Sequence, residues 1–155
     1  LNKLVNKEAQ MANLILCSKE TGNTRRICDA IAGLAGWESR KISGNDIFDL
    51  SGYNTVIIGT GVYGGLPHKN ITAFIRKLEK SQVPREVHVL ITWLGRGKSD
   101  RSAFRHIQKE CLLKGIAVSP DYAKFLGHSF GVLHVGHPDE QEISKAKAWA
   151  QSLCD

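Results

Sequence analysis

With 155 residues, 42% of them hydrophobic and 23% charged, the chain is long enough to bury one full core and has the composition of a globular domain, not a disordered one. No stretch reaches the roughly 18 continuous apolar residues of a membrane span, and four scattered cysteines with no Cys-x-x-Cys pair signal neither a disulfide framework nor a zinc site. A formal charge of +6 directs the search for partners toward anions: acidic proteins, anionic ligands, nucleic acid or a membrane face.

Residues 1–10 are polar, carry lysines and lack the apolar segment of a signal peptide. They are expected to be a tag remnant or disordered extension, with residues 11–155 forming a single domain. The first strand is predicted at 13–17, through Leu14-Ile15-Leu16-Cys17. A helix follows over 24–35, apolar at Ile27, Ala30, Ile31 and Leu34 and ended by Gly36. Residues 37–42 alternate weakly and suit an outer strand. Residues 55–60, Thr-Val-Ile-Ile-Gly-Thr, are apolar on both faces, the pattern of a strand buried in a parallel sheet. From His68 to about Lys80, Ile71, Phe74, Ile75 and Leu78 share one helical face.

Pro84 breaks the chain before a fourth strand at 87–92, and a polar loop runs from Gly95 to Asp100. The next helix is placed at about 102–114, with Phe104, Ile107, Cys111 and Leu112 apolar and Gly115 as its stop. A fifth strand is expected within 123–128. The last helix opens at Asp139 as cap and runs to about Leu153, apolar at Ile143, Ala146, Trp149, Ala150 and Leu153. Cys17, Cys28 and Cys111 fall inside these elements and are expected to be buried, reduced thiols, which favours a cytoplasmic setting. The six histidines show no metal-ligand spacing, although His128, His134 and His137 lie close in sequence. No metal site is expected.

Strands alternating with helices from end to end imply an α/β three-layer sandwich around a five-stranded parallel sheet. Ligands in such sheets bind beyond the carboxyl ends of the strands, where the strand order switches. Three loops rich in glycine and hydroxyls fall at that edge. The first, Ser18-Lys19-Glu20-Thr21-Gly22-Asn23-Thr24, turns a strand into a helix. Its hydroxyls, the Asn23 amide and successive backbone N–H groups at the positive end of a helix dipole suit a phosphate. It lacks the Gly-Lys-Ser/Thr of a nucleoside-triphosphate loop and the Gly-x-Gly-x-x-Gly of a dinucleotide site. The second loop runs from Gly59 and Thr60 through Gly61, Val62, Tyr63, Gly64, Gly65 and Leu66 to Pro67. The third is Thr92-Trp93-Leu94-Gly95-Arg96-Gly97-Lys98.

The sequence Thr21-Gly22-Asn23-Thr24 resembles the phosphate loop of the flavodoxin family, with Lys19 where the family places its first hydroxyl residue. The likeness extends over about residues 12–154 and is of the short-chain type. It implies a sheet in the order 2-1-3-4-5 and flavin mononucleotide (FMN) as cofactor. By the same resemblance, Thr60, Gly61 and Val62 border the ring, Tyr63 stacks on it, and Gly64 supplies a peptide free to take positive φ. Trp93, Leu94, Gly95 and Arg96 border the ring's other side, where many flavodoxins carry a second tyrosine. The resemblance implies a redox carrier between a reductase and an acceptor protein, with no catalytic residue of its own.

The basic charge departs from the acidic norm of that family. An acidic partner protein is therefore expected, and Lys19, Arg96, Lys98 and Arg101 are candidates to lie near the site. Each charge within ~8 Å of the ring would contribute roughly 1–2 kcal/mol toward its anionic reduced form. Two other readings are a flavin-dependent small-molecule oxidoreductase, resembling quinone-dependent protoporphyrinogen oxidase, and a flavodoxin-fold binding module that has lost FMN. Nucleic-acid binding is not expected, because the basic residues form no run.

Overall fold

Alternation along the strands sets the layers. In β1 (Asn13–Cys17), Leu14 and Leu16 enter one core cluster while Ile15 and Cys17 enter another, as the two-residue period of an extended chain requires. In β3 (Val56–Gly61), Val56 and Ile58 face the first cluster and Ile57 the second. In β4 (Glu86–Trp93), Val87, Val89 and Ile91 face the first and Leu90 the second. The sheet is thus covered on both sides, which is why its strands read as continuous apolar runs.

The protein is described by a computed structural model over residues 12–18, 22–126 and 136–154. Helix α1 (Asn23–Ala32) and α4 (Glu140–Ser152) cover one face through Ile27, Cys28, Ile31, Ala146 and Ala150. Helix α2 (Lys69–Lys77) and α3 (Ser99–Leu113) cover the other through Ile71, Phe74, Ile75, Ala103, Phe104, Ile107 and Cys111. The outer strand β2 (Trp37–Lys41) buries Trp37 and leaves Glu38, Arg40 and Lys41 exposed, as suits an edge.

The strands pair in parallel in the order β2-β1-β3-β4-β5. The fifth place is shared by two short pieces. Strand β5 (Ala117–Val118) pairs with Glu86 and Val87, and β6 (Ala123–Leu126) with the stretch from Leu90 to Trp93. The expected strand at 123–128 is therefore the second piece, its last two positions lying outside the described residues.

Three helix boundaries differ from expectation. Helix α2 stops at Lys77 because Leu78 turns extended and buries its side chain; a 3₁₀ turn, Lys80–Gln82, follows with its own capping box. Helix α3 begins at Ser99, three residues early, because Asp100 is drawn into the interior. Helix α1 ends at Ala32, with Gly33 as its cap. Asp139 caps α4 as expected: its carboxylate accepts the Glu142 N–H at 2.9 Å, and Glu142 accepts the Asp139 N–H at 2.7 Å. No helix among the described residues is long and apolar enough to cross a membrane.

Candidate ligand site at the carboxyl edge of the sheet

The described parts of the three loops lie where β1, β3 and β4 end. Half-buried Ser18 leaves β1, and Lys19, Glu20 and Thr21 lie outside the described residues. Gly22 is the N-cap of α1; it offers no side-chain oxygen, and the first turn holds no acidic residue. The amides of Asn23 and Thr24 therefore open the helix at its positive end, where an anion is stabilised. In the same turn Arg25 pairs with Asp29 at 2.8 Å, while its Nη1 is buried with no partner among the described residues.

This turn rests directly on β3. A Cβ added to Gly59 would stand 2.8 Å from Cys28 Sγ and 3.4 Å from the Leu16 carbonyl. Only glycine lets helix and strand approach this closely. Thr24 is buried, and its Oγ1 lies 2.7 Å from Thr92 Oγ1 at the end of β4. The Thr24 and Thr92 hydroxyls thus couple the first loop to the third. Thr92 is absent from the residues its sequence context singles out as ligands; nothing in a β-strand pattern distinguishes a core threonine from one that bonds across the edge.

The second loop is pinned at its root. The buried Thr60 hydroxyl donates to the Gly61 carbonyl at 2.9 Å and accepts the His68 N–H at 3.0 Å. Between them the chain makes a tight hairpin, with Tyr63 and Leu66 exchanging backbone bonds of 2.8 and 3.1 Å. Its two central residues, Gly64 and Gly65, have φ of 59° and 78°. A two-residue turn with both central φ positive is the type I′ hairpin, for which Gly-Gly is well suited. The positive φ expected at Gly64 is observed.

The Tyr63 ring lies against Gly61, whose added Cβ would come within 3.2–3.4 Å of it. It meets the His68 ring edge-on at 5.3 Å and is 41% exposed. His68 also caps α2, its Nδ1 accepting the Asn70 N–H at 3.1 Å. Val62 packs against the core instead.

In the third loop Leu94 is half-buried, and Gly95 and Arg96 are exposed. Trp93 packs against the core, and the Lys124 ammonium sits 5.1 Å from its ring centroid. That cation also lies 3.4 Å from Asp100 Oδ2, which accepts the Tyr122 hydroxyl at 2.7 Å. Burial alone would push the Asp100 carboxyl up. The bonds from Tyr122, the Arg101 backbone and Lys124 outweigh it and hold the group below the usual range. Lys98 and Arg101, expected near the site, line one depression together with Ser102 and Arg105.

Away from this edge, His137 Nδ1 lies 2.9 Å from Glu142 Oε2 and 3.9 Å from Asp139 Oδ2. The grouping belongs to the α4 capping box. His128 and His134 lie outside the described residues.

A parallel sheet in this order, with an anion-ready helix start beside a glycine hairpin that presents an aromatic ring, defines the flavodoxin-like α/β class. Residues 14–128 match the family model described as a flavodoxin domain. The chain belongs to that family. An uncharacterised protein of Methanocaldococcus jannaschii is 24% identical over 137 residues, covering 84% of this chain and 89% of its own. Oxidised flavodoxin 2 of Bacillus cereus superposes with a TM-score of 0.69 at 17% identity, covering 92% of this chain and 97% of that one. A flavoprotein of Lactobacillus acidophilus solved in complex with FMN gives 0.60 at 18% identity, over 74% and 93%.

Proposed function

We propose that the protein binds FMN and carries electrons between a reductase and an acceptor protein. The observation that carries this reading is the convergence at one sheet edge of an anion-ready helix start and the Tyr63 hairpin. The residues present fit the cofactor. The α1 opening offers amide donors with no competing carboxylate in its first turn, and the Arg25 guanidinium leaves a buried donor over. The hairpin offers a partly exposed aromatic face for a planar ring.

In this reading Ser18, Lys19, Glu20, Thr21, Gly22, Asn23 and Thr24 hold the phosphate through hydroxyls and backbone N–H groups. Thr60, Gly61 and Val62 form the near wall, Tyr63 packs on the ring, and the Gly64 peptide adapts to the ring's protonation. Leu94, Gly95 and Arg96 border the other side. Trp93 serves there as a wall more than as a second stacking ring, because Lys124 already lies over its face. When bound, FMN supplies the one- and two-electron chemistry of its ring; the chain orients it, excludes water from one face and sets the local field. The family relationship supports a cytoplasmic carrier, and the +6 charge supports an acidic partner.

The test is reconstitution. Purified protein mixed with FMN and freed of excess by gel filtration is expected to keep about one flavin per chain, with flavin bands in its visible spectrum. A colourless protein that rejects FMN under saturating conditions overturns the reading. Rapid turnover of a quinone by the flavin-loaded protein alone would replace the carrier with an enzyme.

A further inference from the structure

Helix α3 has two acidic side chains, Asp100 and Glu110, and both turn inward, with side chains 6% and 7% exposed. Asp100 is taken up by Tyr122 and Lys124, and Glu110 by Arg76 and His106. Its cations stay outside: Arg101, Arg105 and Lys109 are exposed, as is Lys98 at the N-cap. No carboxylate among the described residues forms an ion pair with Lys98, Arg101 or Arg105. The outward surface at the start of this helix is therefore positive, with no ion-pairing carboxylate among the described residues.

Lys98, Arg101, Ser102 and Arg105 line one open depression of about 290 Å³. The hairpin of residues 63–66 leans on its rim, since a Cβ on Gly65 would stand 3.1 Å from Ser102 Oγ. That hairpin exposes two large apolar side chains, Tyr63 at 41% and Leu66 at 49%. Arginines beside an exposed tyrosine and leucine have the make-up of a protein-docking patch, with a small apolar centre and a charged rim.

We infer that this surface docks a carboxylate-rich segment of a partner protein, which seats acidic side chains in the Lys98–Arg101–Arg105 depression and an apolar one against Leu66. The biological sense of the inference rests on the electron-carrier reading, because the patch adjoins the hairpin that would carry the ring. Charge complementarity chooses the occupant: three cations outside any ion pair among the described residues favour carboxylates, and the neighbouring apolar pair favours a polypeptide over a bare polyanion such as a nucleic acid.

Poly-L-glutamate serves as the probe, titrated into isotope-labelled protein while amide shifts and affinity are read. Shifts are expected at 63–66 and 98–105, with affinity falling steeply as salt rises. Reversing the patch (K98E/R101E/R105E) is expected to weaken binding at least tenfold, and reversing α4 charges (K145E/K147E) less than twofold. Arg105→Gln alone, at an exposed position, is expected to weaken it about threefold and serves if the triple variant does not fold. Equal losses in the α4 variant, or shifts centred on α4, overturn the inference. So does a DNA duplex that displaces poly-L-glutamate from the same amides at lower concentration. Shifts do not require flavin, so the two readings fail separately. Binding at these residues without FMN uptake overturns the cofactor alone, and FMN uptake without shifts here overturns the docking surface alone.

Discussion

Thr24 Oγ1 and Thr92 Oγ1 lie 2.7 Å apart, both side chains buried, one opening α1 and the other near the end of β4. Each hydroxyl has one proton to give. In the proposed FMN-binding reading, a bond donated by Thr92 to Thr24 leaves the Thr24 proton for a phosphate oxygen. Thr92→Val removes that arrangement and strands a buried hydroxyl, at a cost of about 1–3 kcal/mol. Urea unfolding checks the stability, and the affinity ratio between FMN and riboflavin checks the role. The ratio is expected to fall about five- to tenfold, roughly 1–1.4 kcal/mol, while riboflavin binding holds. Thr92→Ser is expected to restore both. An unchanged ratio would reduce the pair to a structural bond.

The next contact concerns how closely α1 lies on the sheet. A Cβ on Gly59 would stand 2.8 Å from Cys28 Sγ, closer than any relaxed contact, while Thr24 Cγ2 at 3.5 Å would tolerate it. Gly59→Ala is therefore expected to destabilise by about 1–3 kcal/mol through overpacking. Removing the sulfur should relieve it. The double variant G59A/C28A is expected to be more stable than the sum of its single variants, by about 1 kcal/mol or more in a thermal or denaturant cycle. Additive losses would mean that the backbone at Leu16, not the thiol, sets the limit.

Much of this edge is legible in the sequence, and the reasons differ from residue to residue. The strand at 13–17 and the turn at Gly22-Asn23-Thr24 announce themselves through local chemistry, an apolar run meeting a hydroxyl-rich helix start. The positive φ at Gly64 is legible through the family resemblance, which places a glycine after the aromatic, and glycine takes that conformation without a Cβ clash. What local patterns conceal is decided by long-range partners. Ser99 and Asp100 look like loop residues, yet Tyr122 and Lys124 bury the Asp100 carboxylate and start α3 early. The fifth strand is hard to place because its two pieces are two and four residues long. They exist because β4 offers them partners. Trp93 looks available for stacking until Lys124, thirty-one positions on, is seen over its ring.

The ion pair between α2 and α3 gives a pH signature. Arg76 meets Glu110 in two parallel bonds, Nε to Oε2 at 3.0 Å and Nη2 to Oε1 at 2.7 Å. The Arg76 guanidinium holds the Glu110 carboxyl below its usual range, against the opposing effect of burial. A carboxyl depressed in the folded state adds stability above its unfolded pKa, about 4.3, and loses it as pH falls through the folded value. Glu110→Gln is expected to lower the urea midpoint at pH 7. The gap from the parent protein should narrow as pH drops below about 4 and close once the carboxyl protonates in both states. A gap that persists at acid pH would show that packing, not charge, is what glutamine lacks.

The four cysteines separate into two classes that a thiol reagent can count. Cys17, Cys28 and Cys111 are fully buried, whereas Cys154 is exposed near the chain's end, its sulfur 3.3 Å from Asn13 Nδ2. Burial pushes the Cys111 thiol up to about 12, and a hydrogen bond with Cys17, together with burial, raises Cys28 well above the ordinary value. Thiolate is the reactive form, so these groups are inert while folded. An aromatic disulfide reagent at pH 8 is expected to modify one thiol per chain quickly and the other three only at the rate of global opening. In denaturant all four should react together. Cys154→Ser is expected to abolish the fast phase and leave the slow one unchanged. Fast reaction of Cys17 or Cys28 would mean that the α1 layer, which covers both, opens without the rest of the fold, and fast reaction of Cys111 would mean the same of α3 on the other face.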